Sequence, residues 1–106
     1  MLSHIKIGAE LRTGERARAS GNEGMARVCA RRAAGMAIES VHPPSAAGNA
    51  DIMSRLRALE ADLSRPASVR EAAGRLAAKV TGNSFAADPI GDALIIIEHI
   101  LGSSSA

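Results

Sequence analysis

Phe85 is the single aromatic residue of the chain, which has neither Trp nor Tyr. Its core must therefore be assembled from Leu, Ile, Val, Met and Ala, side chains that fill space but bury little area each. A core of that kind holds when backbones come close together. Alanine is abundant here, and alanine both favours helix and lets neighbouring helices approach. With 106 residues, 46% of them hydrophobic, the sequence fits one domain, 1–106, with enough apolar surface to fold.

Breakers and caps divide the chain into five helical segments. The first spans 3–20, capped by Ser3, with Leu2, Ile5, Ile7 and Leu11 as a modest stripe and Gly21-Asn22 as its stop. Asn22 caps the second, 23–40, and Glu23 sits in its first turn, at the positive end of the helix dipole. Met25, Cys29, Ala33, Met36 and Ser40 form one inward row there, widened by Val28 and Ala37. Ala26, Ala30, Ala34 and Ala37 form a second, entirely small row. Two such rows predict a helix with neighbours on more than one side. Pro43 and Pro44 close it, and a loop follows over 43–49.

The third segment, 50–64, takes Asn49 or Asp51 as cap and carries the clearest amphipathic stripe: Ile52, Leu56, Leu59 and Leu63. Ser68-Val69-Arg70-Glu71 reads as a capping box, so the fourth segment is expected over 69–80, its stripe Val69, Ala73, Leu76 and Val80, with Gly82-Asn83 as stop. Phe85 falls in a short connector. Asp88-Pro89, cap then proline, opens the fifth segment, 89–101, with Gly102 as its C-terminal glycine. That last segment is apolar around most of its circumference, which marks it as the central element or as a face toward a partner subunit. The expected fold is all-α, an up-and-down bundle of four to five helices.

The lone Cys29 allows no disulfide within the chain. The opening residues hold no apolar block of signal-peptide length, and the longest apolar run, 93–97, is far short of the roughly 20 residues of a membrane span. A cytoplasmic protein without membrane association is expected.

Chemistry-bearing motifs are scarce. The sequence has no phosphate-binding glycine loop, and its three histidines, His4, His42 and His99, are scattered, so no metal, cofactor or catalytic residue is assigned. Asp92 and His99 share a helix face seven residues apart and read as a polar edge. Cys29, on the inner face, reads as inert packing.

Charge is uneven. The net charge is +2, with seven basic against four acidic residues over 1–41 and six against seven over the rest. Arg12 and Arg16 repeat at i, i+4 on the first segment. Arg27, Arg31 and Arg32 cluster on the second. If the two helices run antiparallel, these rows flank one another as an anion or nucleic-acid site. The alternative is ordinary solvation and pairing with Glu15, Glu23 or Glu39.

The stretch Gly21-Asn22-Glu23-Gly24-Met25-Ala26-Arg27-Val28-Cys29-Ala30-Arg31-Arg32-Ala33-Ala34-Gly35-Met36-Ala37-Ile38 resembles the second helix of HEPN domains, with its row of alanines. The segment opening Asp88-Pro89-Ile90-Gly91-Asp92-Ala93 is similar to the closing helix of many HEPN-like proteins. The resemblance covers most of the chain. It implies a helical bundle, commonly a homodimer, acting as a ribonuclease or as a non-catalytic partner of a small nucleotidyltransferase. The ribonuclease members carry an arginine and, after four to six intervening residues, a histidine. Gly35, Met36 and Ala37 stand at those distances before His42, and Asp92, Ala93 and Leu94 before His99. That departure disfavours an enzyme. The sequence is thus expected to encode a non-catalytic, homodimeric interaction module that binds a protein, or alternatively one that binds nucleotide or RNA through its arginine-rich helix face.

Overall fold

The computed structural model describes residues 2–41, 51–78 and 88–102. The 43–49 loop, Val80, the Gly82-Asn83 stop, Phe85, His42 and the side chains of Leu2, Ser3 and His4 lie outside what is described. Among the described residues every regular element is helical: α1 (Leu2–Ala19), α2 (Glu23–Val41), α3 (Ile52–Ala61), α4 (Ala67–Ala77) and α5 (Pro89–Ile97), closed by a π-helical turn (Glu98–Gly102). The chain is an all-α bundle.

Local chemistry places most helix ends. Gly21, at φ 88°, takes the left-handed conformation that a glycine tolerates best. The Asn22 N–H returns to the Ala17 carbonyl at 2.7 Å and the Gly21 N–H to that of Arg18 at 3.0 Å, a Schellman closure of α1. Asn22 then caps α2, its side-chain oxygen accepting from the Met25 N–H at 3.1 Å. Asp51 caps α3 through the Ser54 N–H at 2.7 Å, and Asp88 caps α5 through the Gly91 N–H at 2.9 Å.

α4 departs from expectation. It starts at Ala67 behind Pro66, with no side-chain cap, so Ser68 lies inside the first turn and the capping box is not used. The Pro66 carbonyl accepts from the Val69 and Arg70 N–H groups instead, each at 3.1 Å. α3 also ends early. The Asp62 carboxylate turns back to accept from the Ser64 N–H and hydroxyl, which stops the helix at Ala61 and leaves Leu63 78% exposed rather than in the core stripe.

The centre of the bundle is α2, not α5. Ala26, Ala30, Ala33, Ala34 and Ala37 are each wholly buried; the expected inward row holds at Cys29, Ala33 and Ala37 but not at Met25, Val28 and Ser40, which are exposed. The small faces win because α1 and α5 press onto them from different sides. One cluster joins Ala30, Ala34 and Ile38 to Leu56, Leu59, Val69, Leu76, Ile90 and Ile96, uniting α2 with α3, α4 and α5. A second joins Ala33 and Ala37 to Ile7 of α1, with Ile97, Ile100 and Leu101 packed against it. Where α1 meets α2 and α5, a Cβ on Gly14 would stand 2.7 Å from Ile90 Cδ1 and 3.0 Å from Cys29 Cβ.

α1 and α2 run antiparallel: Gly14 faces Cys29, and Glu10 faces Arg32. α4 and α5 are likewise antiparallel, since Arg75 meets Asp92 while Arg65, just before α4, meets His99.

Candidate functional site

The five arginines singled out in the sequence divide into three environments. Arg27 and Arg31, one turn apart on α2, reach across to the last turn of α4. Arg27 Nη1 donates to the Arg75 carbonyl at 3.2 Å. Arg31 Nε donates to the Leu76 carbonyl at 2.7 Å, and its Nη2 to that of Ala78 at 2.9 Å. These oxygens lie at the negative pole of α4, where that of Arg75 also accepts from the Ala78 N–H at 3.3 Å. Burial, and then the neighbouring Arg27 charge, holds the Arg31 guanidinium below its ordinary value; it stays charged.

Arg32 turns the other way, toward Glu10 of α1, with Nη1 4.0 Å from the carboxylate. Beneath that pair lies Cys29, 1% exposed. Burial first, and the Glu10 carboxylate beside it, push the Cys29 thiol up. Arg12 and Arg16 project from α1 into solvent. The five arginines therefore do not act as one row: Arg27 and Arg31 engage α4, Arg32 reaches toward α1, and Arg12 and Arg16 face water.

Asp92 and His99 likewise have separate partners. Asp92 is 5% exposed, and its Oδ1 accepts from Arg75 Nε at 3.1 Å and Nη2 at 2.9 Å. That carboxylate raises the Arg75 pKa and ties α5 to α4. His99 Nε2 lies 3.1 Å from Arg65 Nη1.

An open cleft of about 460 Å³ separates the end of α1 from the start of α5, lined by Glu15, Arg18, Ala19, Asp88, Ile90 and Leu94 among others. Arg18 binds the capping carboxylate of Asp88 and approaches Glu23 at 3.7 Å, so one side chain joins three helix ends. Nothing in the sequence distinguishes Arg18 from its neighbours. Its role depends on α5 arriving beside the end of α1, a contact 70 residues away. Asp88 was readable as a cap but not as a lining residue.

Among the described residues no group of three or more His, Cys, Asp or Glu converges to hold a metal ion, and no helix is long and apolar enough to cross a membrane. The fold and these side chains define an all-α bundle whose charged groups mostly bind its own helices together. Compared with protein families, curated proteins and solved structures, the chain matches none.

Proposed function

We propose that the chain is a non-catalytic, HEPN-like interaction module that pairs with a second copy of itself in the cytoplasm and engages a protein partner, of which a small nucleotidyltransferase is one type. The apolar surplus of α5 carries this reading. α2 and α4 both pack on that helix, yet Leu94 remains 38% exposed and Ile95 and Ile97 half-buried. Ile5 at 65% and Met25 at 43% add large apolar side chains on α1 and α2. Exposed side chains of this kind mark surfaces that associate when they gather into a patch. The engagement of Arg27 and Arg31 with α4 also favours a protein partner over an anion. Light scattering at micromolar concentration is expected to give twice the monomer mass; a monomer at that concentration overturns the reading.

One observation favours a second reading. The side chains of Arg12 and Arg16 form neither hydrogen bond nor ion pair with the other described residues. As a nucleotide- or RNA-binding face they predict a salt-sensitive affinity for RNA that falls in the Arg12→Ala, Arg16→Ala double variant. Unchanged affinity in that variant removes this reading.

A further inference from the structure

The turn that ends α5 holds a hydrogen bond whose polarity one partner dictates. Arg65 Nη1 lies 3.1 Å from His99 Nε2. A guanidinium has donors and no acceptor, so Nε2 takes the bond through its lone pair and the imidazole proton sits on Nδ1. Protonating Nε2 deletes the acceptor and sets two cations face to face.

Arg65 is anchored independently of His99. Its Nε stands 3.2 Å from Asp62 Oδ2. The Ser64 hydroxyl, the Ser64 N–H and then Arg65 itself hold the Asp62 carboxyl below the usual carboxylate range. Imidazoles change charge between about pH 5 and 8, and Asp62 stays ionised throughout that interval. Of the two arms that hold Arg65, the imidazole is the one whose hydrogen-bonding role a proton reverses. Glu98, on the same turn, is exposed. Ile97, Ile100 and Leu101 at this end of α5 share an apolar cluster with Ile7 and Leu11 of α1 and Ala33, Met36 and Ala37 of α2. On α4, Arg75 is committed to Asp92.

We propose that the Arg65–His99 bond is a proton-operated latch that ties the π-helical turn 98–102 to the α3–α4 turn and releases it in mild acid. The latch joins the end of one hairpin to the connection of another, so its opening loosens the part of α5 whose Ile97, Ile100 and Leu101 rest on α1 and α2.

Nuclear magnetic resonance on the full chain tests this. Long-range proton–nitrogen spectra of the imidazoles at neutral pH are expected to show His99 with a protonated Nδ1 and a bare Nε2. His99→Gln identifies which of the three histidine signals belongs to position 99. On acidification, the amide shifts of residues 62–65 and 98–102 are expected to move together with the His99 ring. His99→Gln keeps an acceptor for Arg65 but cannot titrate, so its 62–65 shifts stay flat over the same range. In Arg65→Gln the ring still titrates, but residues 62–65 no longer follow it. A protonated Nε2 at neutral pH in the native chain overturns the proposal. So do 62–65 shifts that follow pH equally in His99→Gln, and that second variant decides the matter if Arg65→Gln fails to fold.

Discussion

Cys29 lies where α1 and α2 meet, facing Gly14 and sealed to 1% exposure. With burial and Glu10 both raising its pKa, the thiolate that reacts with electrophiles is scarcer at neutral pH than for a free cysteine. Iodoacetamide is therefore expected to leave the folded chain unlabelled and to label it in denaturant, read by mass spectrometry; rapid labelling of the folded form would contradict this placement. Two carboxylates give the opposite kind of pH dependence. Ser54 holds the Asp51 pKa down and Ser64 that of Asp62. A group whose folded pKa lies below its unfolded one contributes stability above the unfolded value, about 4 for aspartate, and loses it as pH falls through the folded value. The thermal midpoint, followed by circular dichroism, is expected to drop below about pH 4, and by less in Asp51→Asn. The inward position of Cys29 was legible from its spacing. The separate partners of Asp92 and His99 were not, because residues that share a helix face can still meet different neighbours.

At the scale of the helix, starts were easier to read than stops. Asn22, Asp51 and Asp88 cap as the sequence indicates, since a cap is a bond to an N–H only three residues away. α4 ends three residues before the expected Val80, and its last carbonyls are taken by arginines of α2. No local pattern encodes such an ending. Removing Arg31 leaves two of those carbonyls without their charged donor, so Arg31→Ala is expected to cost about 1–3 kcal/mol in urea unfolding. Arg31→Lys, which keeps the charge but not the two-pronged geometry, should recover only part of that. A loss no larger than that of an exposed control such as Arg12→Ala would show that the clamp contributes little. Amphipathic rows were misleading on α2 for a related reason. Spacing identifies which residues share a face, but only packing selects the face, and here the alanine rows let α1 and α5 come closer than a row with Met25 and Val28 would allow.

For the whole molecule, the all-α architecture was legible because Gly, Pro and cap residues punctuate a chain with no alternating strand pattern. The choice of centre was not. An almost wholly apolar α5 suggested the middle of the bundle, yet the less hydrophobic α2 occupies it, and α5 keeps part of its surface outside. If that surface joins two copies, Leu94→Glu is expected to give a folded monomer with unchanged helical signal, since Leu94 contributes little to the intramolecular core. A variant that remains dimeric would place the contact elsewhere. The two bonds from Arg31 to the end of α4 span 45 and 47 residues of chain. Contacts so distant in sequence close late, after shorter loops have formed. The final turn of α4 therefore waits on the docking of α2, and in hydrogen exchange it should gain protection only when the first forty residues are in place.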